Sequence, residues 1–235
     1  KALITGSTSG IGLAIAKKLE NEGCFIGLNS RNQESINRSA KLFKKPVLGL
    51  VGDMTLEKDA KETVDKFINH FDSLDILICN VGSGRSSPPL NESITDWQKS
   101  ISINLFSAIN PISSSLDYLS KSRGAITCIS SICSSNSIEN APLTYSSVKA
   151  ALNRYVINSC LYLARKNIRI NAVSPGNVFF EGSIWEKKFL ENASLVEEML
   201  DKKVPLKKFV RPEDIAEAVA FLSSPLSAST TGQIL

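Results

Sequence analysis

The chain has 235 residues, 43% hydrophobic and 21% charged, with a net charge of +4 scattered along its length. That length suits one well-buried α/β domain, 1–235, and is short for two. The charge is too mild and dispersed to imply nucleic-acid binding, and no apolar run approaches the roughly 18 residues of a membrane span. No secretory leader is evident. Five cysteines (Cys24, Cys79, Cys128, Cys133, Cys160) are odd in number and lack metal-ligand spacing. They predict reduced core thiols in a cytoplasmic protein. With His70 as the lone histidine, a metal site or a His-based triad has too few ligands or bases. The chain opens on an apolar run and stops at Gly232-Gln233-Ile234-Leu235, which reads as the start of a strand; a few residues are expected beyond each end.

Ala2-Leu3-Ile4 is a short buried strand that breaks into Thr5-Gly6-Ser7-Thr8-Ser9-Gly10-Ile11-Gly12. A helix over about 13–21 follows, with Ile15, Ala16 and Leu19 on its apolar face. Strand, glycine turn and helix together aim backbone N–H groups and a helix N-terminus at a phosphate, and glycine lets the backbone approach the ligand closely. Position 13 is Leu, so the G-K-[ST] ending of a nucleoside-triphosphate loop is absent. The spacing is T-G-x-x-x-G-x-G.

The second strand, 24–29, ends in Ser30-Arg31-Asn32. In a nicotinamide dinucleotide site this strand end faces the adenosine ribose, where an acid binds the 2′-hydroxyl of NAD and an Arg accommodates the 2′-phosphate of NADP. No acid is present here; a hydroxyl and a guanidinium, which grips phosphate through paired hydrogen bonds, favour NADP(H) over NAD(H). A helix over 33–43 leads to a third strand, 47–51. Asp53 follows it, placed to accept from an adenine amino group. A helix over 57–71 precedes a fourth strand that ends in Asn80-Val81-Gly82. Apolar strands alternating with helices specify a parallel sheet covered on both faces.

Ser83 to Leu90 reads as a flexible loop at the C-terminal edge of that sheet, where such sheets bind ligands. A long helical region over 95–121 carries Asn104 among apolar neighbours, a position that demands hydrogen-bond partners, and Pro111 is expected to kink it. The fifth strand, 124–131, ends in Ser130-Ser131, and the sixth, 169–173, closes on Ser174-Pro175-Gly176. Between them lies Tyr145-Ser146-Ser147-Val148-Lys149 at a helix start. Residues four apart share a helix face, so the two side chains can enter one pocket. An ammonium beside a phenol favours the phenolate and is expected to lower its pKa. Leu152, Tyr155, Val156 and Leu161 on the same helix face either the sheet or a subunit interface.

Taken together, these motifs resemble the short-chain dehydrogenase/reductase family, closest in look to its 3-oxoacyl-carrier-protein reductase-like members. The resemblance spans nearly the whole chain: T-G-x-x-x-G-x-G at 5–12, N-x-G at 80–82, Asn104, Ser131, Tyr145, Lys149 and Pro175-Gly176, then Arg211-Pro212-Glu213-Asp214 and Thr231-Gly232-Gln233. It implies a single Rossmann-type, doubly wound parallel sheet of about seven strands. Cofactor contacts would come from Gly6, Ser9, Gly10, Ile11, Gly12, Ser30, Arg31, Asp53, Asn80, Gly82, Tyr145, Lys149, Pro175, Gly176 and Val178. Tyr145 would exchange the proton on the substrate oxygen, Ser131 would hydrogen-bond that oxygen, Lys149 would lower the Tyr pKa and hold the nicotinamide ribose, and Asn104 would support a proton-carrying water. The implied substrate is a small carbonyl or alcohol, a 3-oxoacyl thioester or a sugar-type ketone, with Arg85 or Lys187-Lys188 available to an anionic one. Residues 177–204 would form a substrate lid, and a homotetramer or homodimer is expected.

The chain departs from the pattern after Pro175-Gly176, where Asn177-Val178-Phe179-Phe180-Glu181 lacks the Thr that often holds the carboxamide; Ser183 is a candidate substitute. A non-catalytic dinucleotide sensor on the same fold is the competing reading, although a sensor needs none of Ser131, Tyr145 and Lys149. A nucleotide-sugar epimerase usually needs a larger substrate domain.

Overall fold

The strands are short and mainly apolar, and those at the centre of the sheet need cover on both faces. In the computed structural model, which describes residues 1–235, six strands meet this need: β1 (Ala2–Ile4), β2 (Ile26–Ser30), β3 (Leu48–Val51), β4 (Ile76–Cys79), β5 (Ala125–Ile129) and β6 (Arg169–Val173). All pairings are parallel, in the order β3-β2-β1-β4-β5-β6. This is the doubly wound order, and its switch point lies between β1 and β4.

The helices are α1 (Gly10–Asn21), α2 (Gln33–Ala40), α3 (Glu57–Phe71), α4 (Ile94–Ile101), α5 (Ser107–Ser122), α6 (Leu143–Ala164), α7 (Ile184–Glu191), α8 (Ala193–Lys203) and α9 (Pro212–Ser223). Alternation along each strand sends successive side chains to opposite layers. Ile4, Ile78, Ile129 and Val173 pack with Ile15, Leu19, Ile215 and Val219 of α1 and α9. Their neighbours Leu3, Leu77, Cys128 and Ala172 pack with Phe67, Ile112, Leu152 and Val156 of α3, α5 and α6. Leu152 and Val156 therefore face the sheet. Leu161, 67% exposed, does not.

Three expectations change. The expected seventh strand is a single parallel bridge, Ala172 to Ile234, although Ala172 N–H donates to Gln233 at 2.8 Å and Leu235 N–H returns to Ala172 at 2.9 Å. The long helical region expected over 95–121 is not one helix, and Pro111 lies inside its last segment, α5. The region is interrupted by a π-helical turn, Ser102–Phe106, within which Asn104 is buried. The cysteines are all free, but only Cys79 and Cys128 are buried; Cys24, Cys133 and Cys160 are partly exposed. No helix is long and apolar enough to cross a membrane.

Candidate active site

A cavity of about 380 Å³ opens at the C-terminal ends of β1 to β4, the edge where the strand order reverses. The glycine turn after β1 forms one wall. Helix α1 begins there without a side-chain cap, because the Ser9 hydroxyl makes no capping bond. Its first-turn N–H groups are left for a ligand, and its dipole favours an anion.

Two side-chain amides, buried Asn29 and partly buried Asn80, tie this turn down. Asn80 donates from Nδ2 to the carbonyls of Thr5 (3.0 Å) and Gly6 (2.9 Å). Asn29 accepts from Gly6 N–H at 3.2 Å and donates to the Leu50 and Gly52 carbonyls at 3.2 and 3.1 Å. The turn is too tight for side chains at its centre. A Cβ on Gly12 would lie 2.4 Å from the Gly6 oxygen and 2.5 Å from Asn80 Nδ2. Motif reasoning passes over Asn29, although a polar side chain within an apolar strand is a visible signal.

Ser30, Arg31 and Asp53 line the far end of the cavity. Arg31 is exposed and lies 3.8 Å from the Asp53 carboxylate. Asp53 Oδ1 already accepts from Thr55 N–H and Oγ1, at 2.9 and 2.8 Å. Of the expected cofactor residues, Gly6, Ser9, Ile11, Gly12, Ser30, Arg31, Asp53, Asn80 and Gly82 line the cavity; Gly10, Tyr145, Lys149, Pro175, Gly176 and Val178 do not. Thr8, Met54, Thr55 and Phe180 line it as well, and no motif points to them.

Of the residues expected to handle the proton, Lys149 and Asn104 adjoin the cavity at Gly82. A Cβ there would sit 3.0 Å from Asn104 Oδ1 and 3.1 Å from Lys149 Nζ. Lys149 is buried and donates to the Ile129 carbonyl at 2.7 Å. Burial lowers its pKa to about 8, opposed by Cys128 and Cys79. Lys149 Nζ lies 5.9 Å from the Tyr145 ring centroid, so helical spacing does bring the pair together. The expected lowering of the phenol pKa is not found. Burial pushes Tyr145 up, while the Ser131 hydroxyl beside it pulls the other way, and the Lys149 ammonium is engaged by Ile129.

Asn104 spends its amide locally. Oδ1 accepts from Ser83 N–H at 2.9 Å, and Nδ2 donates to the Ser83 carbonyl at 3.0 Å and to Ser100 Oγ at 3.3 Å. It thereby fixes the start of the Ser83–Leu90 loop. Glu92 at the loop's end accepts from Leu143 and Thr144 N–H at 2.6 and 3.3 Å. It caps α6 one residue before Tyr145, where Pro142 offers no side-chain cap. Glu92 carries no local signal, because its partners lie about fifty positions away. Ser183, the proposed carboxamide ligand, instead caps α7 by accepting from Glu186 N–H at 3.0 Å.

The site thus joins an anion-binding helix end and a glycine cradle to a Ser-Tyr-Lys cluster. The residues present fit a dinucleotide: the turn has no room for side chains, the helix end is uncapped and the groove reaches a cationic residue.

A family model described as enoyl-(acyl carrier protein) reductase matches residues 6–235. The chain is 34% identical to human dehydrogenase/reductase SDR family member 2, mitochondrial, over 99% of its own length and 82% of that protein. It is 31% identical to the 3-oxoacyl-[acyl-carrier-protein] reductase FabG of Aquifex aeolicus, covering 100% of this chain and 94% of the relative. Among solved structures, a 7α-hydroxysteroid dehydrogenase complexed with NADH and 7-oxo glycochenodeoxycholic acid superposes with a TM-score of 0.91 at 28% identity, over 100% of this chain and 91% of the other.

Proposed function

The chain belongs to the short-chain dehydrogenase/reductase family of oxidoreductases, and from that premise we propose that it is an NADP-preferring reductase of a small carbonyl compound. The observation that carries this reading is a linked cluster beside the glycine-turned cavity: the Ser131 hydroxyl lies beside Tyr145, Lys149 Nζ is 5.9 Å from the Tyr145 ring centroid, and buried Lys149 abuts Gly82 on the cavity wall. Bound in that cavity, the dinucleotide supplies the hydride exchanged with the substrate carbon.

The remaining chemistry belongs to the chain. Burial keeps the Tyr145 phenol protonated at neutral pH, the state that gives a proton to a carbonyl oxygen as that oxygen gains charge. Ser131 donates a hydrogen bond to the same oxygen. Lys149, with a pKa of about 8, returns a proton to the phenolate and holds the ribose hydroxyls. Asn104 acts through Ser83, holding the loop against Tyr145: a Cβ on Gly84 would meet the Tyr145 ring at 3.7 Å.

NADP is favoured by Ser30 and Arg31 at the cavity's far end, with no acid at the end of β2. The substrate is read as a 3-oxoacyl thioester or a sugar-type ketone admitted beneath α7 and α8. A homodimer or homotetramer is supported by Leu161 and Tyr162, exposed together on α6. A sensor without turnover is the reading to defeat. Oxidation of NADPH and NADH is followed with a panel of 3-oxoacyl thioesters and polyhydroxy ketones; turnover with at least one ketone, faster with NADPH, supports the proposal. Tight NADPH binding with no turnover across the panel overturns it in favour of the sensor.

A further inference from the structure

Phe180 lies in the segment that follows Pro175-Gly176, and it has its own place in the fold. Its ring is a wall of the dinucleotide cavity and lies across the first turn of α1. A Cβ on Gly10 would meet three atoms of that ring at 2.5, 2.6 and 2.9 Å. Gly10 has a φ of +51°, so both its backbone and its neighbour exclude a side chain.

The ring is held from behind. Phe180 N–H donates to Ser183 Oγ at 3.3 Å, and its carbonyl accepts from Ser183 N–H at 2.9 Å. Phe179 is paired through its N–H to the Val210 carbonyl at 3.1 Å. Its own ring turns the other way, 5.1 Å from Phe209 and 6.0 Å from Phe189. Phe180 thus brings an apolar surface, with no hydrogen-bonding group, over the one uncapped helix end that lines the cavity. An apolar cover contributes by excluding water, and an anion–dipole contact weakens when water and salt reach it.

We propose that Phe180 is the residue that retains the dinucleotide: its ring covers the N-terminal turn of α1, and release requires the turn closed by Ser183 to lift it away. This rests on the reading of the cavity as a dinucleotide site. It places control of cofactor exchange on an aromatic contact rather than on a hydrogen bond to the carboxamide.

The test measures NADPH association and dissociation by stopped-flow fluorescence on the full chain, for the unaltered protein, Phe180→Ala and Phe180→Leu. Dissociation is expected to quicken at least about tenfold in Phe180→Ala and only about threefold in Phe180→Leu, with association changed by no more than about threefold, since an interaction that forms only after docking governs the off-rate. The Leu variant keeps an apolar cover and guards against misfolding of the Ala variant. Unchanged dissociation in both variants overturns the proposal while leaving the dinucleotide reading intact. Faster association with tighter binding in Phe180→Ala also overturns it, because the ring is then an obstruction. Failure of the unaltered protein to bind either NADPH or NADH overturns the dinucleotide reading, and the proposal with it.

Discussion

The Lys149 ammonium donates to the Ile129 carbonyl at 2.7 Å beneath the C-terminal edge of the sheet. A cation so enclosed costs the fold stability, and the cost has a pH signature. Lys149 has a folded pKa of about 8, against 10.5 for the free side chain. Below pH 8 both folded and unfolded chains carry the proton, and the penalty is present in full. Between these two values the unfolded chain binds more protons than the folded one, so stability rises with pH. Relative to Lys149→Met, the unaltered protein should gain about 2–3 kcal/mol between pH 7 and pH 10.5. Denaturant titrations of both proteins across that range check this; parallel profiles would refute the buried-cation assignment.

Tyr145→Phe keeps the ring against Gly84 and removes the ionisable oxygen. Turnover should fall by about two to four orders of magnitude, while the dissociation constant for NADPH stays within about twofold. A variant that retains near-normal kcat would show that the proton comes from elsewhere.

In the proposed reading, cofactor choice rests on Arg31. The 2′-phosphate is an anion, and a charge-assisted hydrogen bond contributes roughly 1.5–3 kcal/mol. Arg31 is largely exposed and near Asp53, so solvent screening moves the expectation to the lower end, about tenfold in kcat/KM for NADPH over NADH. Arg31→Ala should remove most of that gap, Ser30→Asp should turn it towards NADH, and added salt should narrow it. Equal use of both dinucleotides by the unaltered protein would make Arg31 an ordinary surface residue.

Glu92 links the loop to the helix that carries Tyr145. Glu92→Ala frees two N–H groups at the α6 N-terminus and should cost about 0.5–2 kcal/mol in a thermal or denaturant melt. Because the loop packs against the Tyr145 ring at Gly84, KM for the ketone should rise more than the KM for NADPH. An equal rise in both would argue for general loosening instead.

Much of this molecule is local and therefore readable along the chain. The glycine turn at 5–12 is legible because a tight turn under a helix end admits no side chain, a constraint written into residue type. Tyr145 and Lys149 are legible because helical periodicity places residues four apart on one face, wherever that helix docks. The alternation of apolar strands with helices specifies parallel pairing, since each strand must be covered on both sides. These features depend on neighbours within a few positions.

The tertiary structure decided whatever depends on distant partners. Asn104 lies in a π-helical turn, and its amide is claimed by Ser83, twenty-one positions away. Ser183 caps its own helix, while Phe180, with no polar group to advertise it, reaches Gly10 across the cavity. The pKa of Tyr145 goes up rather than down because burial outweighs the hydrogen bond from Ser131, while the Lys149 ammonium is held by the Ile129 carbonyl. Residue type and spacing encode what a side chain can do. Its burial and its partners, and hence its ionisation, exist only once the sheet has brought remote segments together.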